Sequence, residues 1–284
     1  MQMVKIGLAQ TRQTDDMAFN AEAIHRFVEE AGRQQVQILC FPEAQTVGYR
    51  VDISPAAAPC PAAQLEDLHG AVARRCGELG MACILGTEIP NPGGKPYNSA
   101  LVINEGGQIL GVHHKTRLTP LDAVAYSPGD AFAVYQLAGV VVGVVICFEG
   151  FRFAQTTEAC VAQGAQLIFH PQNNTTRPND WKIPVHHAML VTRAAENTVW
   201  LASCNACLEP HQNCATMVVA PDGLVQAQLP MKQEQLLVAD INVDLATRAM
   251  HQYDPEKAAP LLFADTVQRC EYEASLPPEG DAAA

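Results

Sequence analysis

Apolar residues in this chain fall into short runs and helical stripes that alternate from the first strand onward. Val4 to Ala9 has the pattern of a strand, and Ala21, Ile24, Val28 and Ala31 then recur at spacings of three and four, which predicts an amphipathic helix. Gln37 to Phe41 is a second strand. Leu65, Leu68, Val72, Cys76 and Leu79 make one face of a second helix, with Gly80 where a C-cap belongs. Met81 to Gly86 reads as a short buried strand. Tyr97 to Ile103 and Gln108 to Val112, separated by Asn104-Glu105-Gly106-Gly107, predict a hairpin with a Gly-rich turn. Val140 to Ile146 is almost entirely Val and Ile, too short for a helix and without polar alternation, so it is expected to be a strand covered on both faces.

After it, Phe153, Thr157, Cys160 and Val161 are spaced as a helix, followed by a strand at Gln166 to Phe169. A helix through Ile183, His187, Leu190 and Ala194 leads to a strand at Val199 to Ser203. Thr216 to Ala220 and Leu224 to Gln228 form a second hairpin around Pro221-Asp222-Gly223, and Gln235 to Ile241 is the last strand. The expected organisation is one domain over residues 1–276 and a disordered tail over 277–284. Strand and helix alternation with hairpins points to an α/β layered fold whose sheet is buried under helices.

Composition narrows the chemistry. Of 284 residues, 48% are hydrophobic and 17% charged, which is globular rather than disordered. A formal net charge of −12 argues against nucleic acid or an anionic membrane surface as the main partner, because both need clustered Lys and Arg. A small-molecule substrate is expected instead. No signal peptide pattern opens the chain and no apolar run reaches membrane-spanning length, so a cytoplasmic protein is expected. The ten cysteines lie mostly inside apolar runs, which favours reduced thiols. Cys204, Cys207, His211 and Cys214 could be written as a zinc knuckle, but no flanking hairpin or helix of the zinc-finger kind surrounds them, so no metal is expected.

Three strand ends carry reactive residues. Cys40-Phe41-Pro42-Glu43 places a carboxylate after an apolar strand, and His113-His114-Lys115 places one of only six lysines directly after another. Gly143 to Gly150 breaks from an apolar strand into Cys147, Phe148 and Glu149. At such a strand-to-helix corner a thiol is expected to be exposed, and a helix N-terminus or a lysine would lower its pKa. A thiol, a carboxylate that takes and returns a proton, and a cation that holds an oxyanion are the parts of acyl transfer through a thioester.

The order Phe-Pro-Glu, His-Lys-x-x-Leu and Ile-Cys-x-Glu resembles the nitrilase superfamily of carbon–nitrogen hydrolases. Lys5 to Gln10, Arg193-Ala194-Ala195-Glu196-Asn197 and Pro221-Asp222-Gly223 extend the likeness over most of the chain. The resemblance implies a four-layer α-β-β-α sandwich, with Glu43 as general base, Lys115 as oxyanion stabiliser and Cys147 as nucleophile. It implies hydrolysis of an amide or N-carbamoyl compound, or less readily a nitrile, without a cofactor, by a homodimer or larger homo-oligomer. The backbone N–H of Phe148 would join Lys115 at the oxyanion. Asp122 stands seven residues after Lys115 and seven before Gly129, where the family has a second glutamate. The family's Arg-Phe-Pro-Glu after the cysteine is displaced here by one residue into Phe151-Arg152-Phe153-Ala154 and has lost its proline and acid. Arg177, in the polar stretch Asn173 to Trp181, could anchor a substrate carboxylate.

Two rival readings exist. A cysteine–histidine amidotransferase needs glycines two residues either side of the cysteine, where this chain has Val145 and Glu149. A noncatalytic binding or scaffold protein could keep the fold and lose turnover, against which the intact Glu43, Lys115 and Cys147 argue.

Overall fold

Alternate residues of the strands feed two different cores, and this is what stacks the molecule into layers. The computed structural model describes residues 1–53, 60–174 and 181–249. The N-terminal half runs β1 (Met3–Gln10), α1 (Met17–Arg33), β2 (Ile38–Cys40), α2 (Arg50–Ile53), α3 (Ala62–Leu79), β3 (Ala82–Ile89), β4 (Tyr97–Ile103) and β5 (Ile109–His114). A one-turn α4 (Asp122–Ala125) leads to β6 (Val134–Leu137), β7 (Val140–Val144), α5 (Phe148–Arg152), α6 (Ala154–Ala162), β8 (Leu167–Gln172), α7 (Lys182–Asn197) and β9 (Trp200–Asn205). The hairpin β10 (Met217–Val219) and β11 (Val225–Gln228) and the strand β12 (Gln235–Asn242) complete the described elements.

The strands form two six-stranded sheets, ordered β12-β1-β2-β3-β4-β5 and β11-β10-β9-β8-β7-β6. In each, three parallel strands linked by helical crossovers, β1-β2-β3 and β7-β8-β9, are flanked by antiparallel ones. Ile6, Leu8, Ile38 and Ile84 of the first sheet meet Val142, Val144, Phe169 and Ala202 of the second in one core between the sheets. Their sequence neighbours Leu39, Cys83 and Leu85 point the other way, against Ile24, Phe27 and Val28 of α1 and Val72 and Cys76 of α3. On the second sheet Val145 and Ile168 pack against Cys160 and Val161 of α6. The result is the α-β-β-α sandwich expected from the resemblance.

The predicted elements are present, α3 ending at Gly80 in the left-handed region (φ 63°) as a C-cap glycine does. Three differences stand out. The central strand ends at Val144, and α5 intervenes before the helix predicted around Phe153. The strand β6, which pairs antiparallel with β7, and the short α4 were not predicted. Strand β8 continues through His170, Pro171 and Gln172, polar positions that the apolar pattern stopped short of. Arg177 and the 277–284 tail lie outside the described residues.

Candidate active site

Glu43, Lys115, Asp122 and Cys147 come together at the C-terminal ends of β2, β5 and β7. Glu43 follows β2 on a turn that lies against β3. A side chain at Gly86 would meet the Pro42 carbonyl at 1.8 Å, so only glycine lets this turn approach. Lys115 prolongs β5, its amide donating to the Asn98 carbonyl at 2.8 Å. Asp122 opens α4 through a reciprocal pair in the form of a capping box. Its N–H donates to Thr119 Oγ1 and its carboxylate accepts from the Thr119 N–H, both at 2.9 Å.

Cys147 sits at φ 48°, ψ −108°, a strained conformation for a residue with a side chain. Its surroundings over-determine it. The Cys147 N–H donates to the Pro171 carbonyl at 2.9 Å, and its carbonyl accepts from His170 Nε2 at 2.8 Å. Only 9% exposed, the residue opens into a cleft of about 390 Å³ rather than onto the surface.

Lys115 Nζ donates to Glu43 Oε1 at 2.7 Å and to Asp122 Oδ2 at 2.9 Å, all three groups fully buried. Asn98 Nδ2 (2.7 Å) and the Asn173 N–H (2.9 Å) also donate to Glu43, and Tyr49 OH donates to Asp122 Oδ1 at 2.5 Å. Asp122, one methylene shorter than the glutamate of the family pattern, reaches the lysine directly. Burial, with the Asp122 charge beside it, raises the Glu43 pKa against the pull of Lys115. Burial would depress Lys115, but Glu43, Cys147 and Asp122 together hold its ammonium well above the usual range. Burial would raise Asp122 too, yet Lys115 and the hydrogen bonds from Tyr49 and Thr119 bring it below the ordinary aspartate value.

The thiol corrects an expectation. Burial first, then the Glu43 charge, pushes the Cys147 pKa well up, and Lys115 only partly offsets them. The sequence pointed to a thiolate stabilised by its neighbours; burial and the nearby Glu43 carboxylate instead favour the neutral thiol. Such an arrangement can deprotonate the sulfur as it attacks, rather than beforehand.

The carbon–nitrogen hydrolase family profile matches residues 5–250. The chain belongs to that family. This hydrolase is 26% identical over 268 residues to omega-amidase NIT2-A of Xenopus laevis, covering 89% of this chain and 93% of that protein. It is 27% identical over 270 residues to an (R)-stereoselective amidase of Pseudomonas sp., covering 92% and 93%. Among solved structures it shares its fold with the amidase from Nesterenkonia sp. AN1, with a TM-score of 0.75 at 23% identity over 91% of this chain and 97% of that one. That structure, of a mutant, shows the acetamide moiety of fluoroacetamide added covalently at the active-site cysteine.

Several residues of the hydrolase site were missed by sequence reasoning. Tyr49 and Asn98, which hold Asp122 and Glu43, carry no local signal. The Thr119-Pro120-Leu121-Asp122 capping pattern did carry one, and reading it would have predicted α4. Glu149, two residues after the cysteine, is the acid of the Ile-Cys-x-Glu motif. It accepts from the Ile146 N–H at 2.6 Å, from the Thr116 N–H, from Thr116 Oγ1 at 2.8 Å and from His113 Nε2 at 2.9 Å. It thus ties the cysteine corner to the lysine loop. In the would-be zinc knuckle, Cys204 is in β9 with its thiol donating to the Cys40 carbonyl at 3.3 Å, and Cys214 faces Gln172. No group of three or more potential ligands is arranged around a metal position among the described residues. No helix among them is long and apolar enough to cross a membrane.

Proposed function

We propose that this hydrolase is an amidase acting through a Cys147 thioester. Glu43 removes the thiol proton as the sulfur attacks the amide carbonyl carbon. The oxyanion is met by Lys115, whose third N–H remains after its two carboxylate bonds, and by the Phe148 N–H, which as the first residue of α5 has no intrahelical acceptor. Glu43 then returns the proton to the nitrogen, the C–N bond breaks and ammonia or an amine leaves. Water deprotonated by Glu43 attacks the thioester, releasing the acid and restoring the thiol. The observation that carries this reading is the buried Glu43 with raised proton affinity, within reach of the Cys147 thiol and braced by Lys115 at 2.7 Å. A base of this kind serves both proton transfers.

Asn173 favours an amide over a nitrile. Its side-chain oxygen lies buried at the cleft with no hydrogen-bond donor among the described residues. An amide nitrogen brings N–H donors to that acceptor and a nitrile brings none, so the amide avoids leaving it unpaired. Asp122 is assigned the support of Lys115. The family resemblance further suggests a homodimer or larger homo-oligomer, which light scattering at micromolar concentration would reject by returning a monomer mass.

Ammonia release from a panel of short amides, N-carbamoyl compounds and nitriles tests the reading. Turnover is expected on amides, with an acyl adduct on Cys147 trapped by acid quench and mass spectrometry. Turnover retained in Cys147→Ala, or activity confined to nitriles, would overturn it.

A further inference from the structure

Behind the Cys147 corner, a buried chain of hydrogen bonds ends on the peptide that joins Cys147 to Phe148. His170 of β8 is fully buried, and its Nε2 lies 2.8 Å from the Cys147 carbonyl oxygen. A carbonyl only accepts, so Nε2 carries the proton. The other ring nitrogen, Nδ1, lies 2.9 Å from Ser203 Oγ of β9, which itself accepts from Gln172 Nε2 at 2.6 Å. Gln172 thus commits the serine hydroxyl proton to Nδ1, and both ends of the chain select the same neutral tautomer. Burial favours the neutral ring as well, pushing the His170 pKa down to about 4.

Packing holds the ring in place. It meets the Phe151 ring edge-on, with centroids 4.8 Å apart. A side chain at Gly150 would come within 2.8 Å of its Cδ2 and Nε2, so glycine in α5 is what leaves room for the imidazole. What the ring fixes is a direction. The Cys147–Phe148 peptide is trans and planar, so its carbonyl and its N–H point opposite ways in one plane. With the carbonyl turned inward onto His170, the Phe148 N–H is turned toward the cleft that Cys147 and Phe148 line. The hydrogen bond to the carbonyl also polarises that peptide, which strengthens its N–H as a donor. The backbone alone does not secure this setting. Cys147 is strained at φ 48°, ψ −108°, and rotation of ψ into the left-handed well would relieve the strain and swing the N–H out of the cleft.

We infer that His170 is a positioning residue for the oxyanion: through its bond to the Cys147 carbonyl it aims the Phe148 N–H at the oxygen of the tetrahedral intermediate, with Ser203 and Gln172 fixing its tautomer. The inference rests on the amidase reading above and adds to it a residue that never touches the substrate. The step it serves is the movement of charge onto oxygen. As the Cys147 sulfur bonds to the amide carbon and Glu43 takes the thiol proton, the π pair of the carbonyl moves to its oxygen, where Lys115 and the Phe148 N–H receive it. A donor aimed before the reaction needs no reorganisation during it, so a bond on the far side of the peptide bears on the rate.

The test separates aiming the N–H from holding the corner together. In His170→Gln the amide Nε2 still reaches the Cys147 carbonyl; in His170→Asn, one methylene shorter, it does not. On the best amide of the panel, His170→Asn in the full chain should lose roughly ten- to a hundredfold in kcat with KM little changed, short of the roughly 10²–10³ lost with a whole oxyanion donor. His170→Gln should recover much of that loss. Ser203→Ala, which leaves the corner itself untouched, should cost roughly two- to tenfold, as for one neutral hydrogen bond. Propionaldehyde gives a readout independent of turnover: the thiol adds across its carbonyl, sulfur to carbon and proton to oxygen, with nothing leaving, and that oxygen sits where the oxyanion forms. Its affinity should fall in step with kcat. Iodoacetamide, from which the sulfur displaces iodide without any oxyanion, should label Cys147 at the parent's rate in every variant. Labelling that falls together with kcat would overturn the inference, since His170 would then hold the corner and not aim the N–H. Parent-like kcat and aldehyde affinity in His170→Asn, or in Ser203→Ala should the former not fold, would overturn it and leave the amidase reading standing. A parent that binds the aldehyde at Cys147 but turns over no amide would overturn the amidase reading, while aldehyde affinity lost in His170→Asn and kept in His170→Gln would still bear out the role of His170.

Discussion

Glu43 and Glu149 are both fully buried and each faces a basic side chain from the end of β5, yet their proton affinities move in opposite directions. Burial disfavours the charged form of both. At Glu149 the His113 imidazole and a set of donors overcome it and bring the pKa down to about 2; three of these donors are backbone N–H groups, from Ile146, Thr116 and Arg117. Glu43 accepts one backbone N–H, from Asn173, and lies beside the negative Asp122, so burial prevails and its pKa rises. The difference separates a carboxylate locked in one state from a carboxylate free to change state. A clamp wants the first and a general base the second.

The largest effect should come from removing the labile carboxylate. Glu43→Gln keeps the shape and is expected to cut amide turnover roughly 10³- to 10⁴-fold, because neither the thiol proton nor the leaving nitrogen is served. The same change removes the charge that, after burial, does most to raise the Cys147 pKa, while Lys115 stays. Brief iodoacetamide labelling followed by mass spectrometry should therefore still find Cys147 reactive in the variant. Loss of labelling in step with turnover would show that the sulfur needs Glu43 even to meet a simple electrophile, and would break the argument from charge.

Asp122→Ala is expected to lower kcat roughly ten- to a thousandfold, with little change in KM, by freeing Lys115 from one of its two anchors. Asp122→Glu should be much milder. Activity within about threefold of the parent in Asp122→Ala would mean that Glu43 alone aims the lysine.

Glu149→Gln probes the locked side of the comparison. Its folded pKa of about 2 lies below the ordinary 4.5, so its contribution is fully present above about pH 4.5 and is lost as the pH falls from there through 2. A displacement of that size corresponds to about 3 kcal/mol. Urea unfolding should show the variant less stable than the parent by about that much at pH 7, with the gap narrowing toward pH 3. A gap that stays constant across this range would mean that lost packing, not the charge, accounts for the destabilisation.

Much of this architecture was legible because burial on both faces writes continuous apolar runs, as in Val140 to Ile146, and because helices such as α1 and α3 need a single apolar stripe. The polar ends of the strands were not legible in the same way. His170, Pro171 and Gln172 continue β8 although none is apolar, because the neighbouring strand β9 and the Cys147 corner supply their hydrogen bonds. That Glu43, Lys115 and Cys147 share one site could be read from motif order. Their ionisation could not, since the Cys147 pKa depends on how two acids and a lysine from two other segments of the chain are placed around it. Glu149 illustrates the same limit: its position beside the cysteine was visible, but its partners come from β5 and the loop after it.

The smallest effect is the most specific to the comparison. If the Asp122 charge helps to raise Glu43, neutralising it in Asp122→Asn should lower the Glu43 pKa, and the pH dependence of the residual activity reports this. Glu43 must be ionised to act as base, so kcat/KM falls at acid pH as Glu43 takes up a proton, and this acid limb lies above the ordinary glutamate value in the parent. Removing the neighbouring charge moves the limb to lower pH, by up to about one unit for a charge at this range. Lys115, left with Glu43 as its one carboxylate partner in the network, pushes the same way by favouring the ionised form. Glu149→Gln should leave the limb in place, because Glu43 is shifted by Lys115 and Asp122 and not by the clamp. A limb that stays fixed or moves upward in Asp122→Asn would assign it to a group other than Glu43, and the contrast between the two buried glutamates would then have to rest on hydrogen bonding alone.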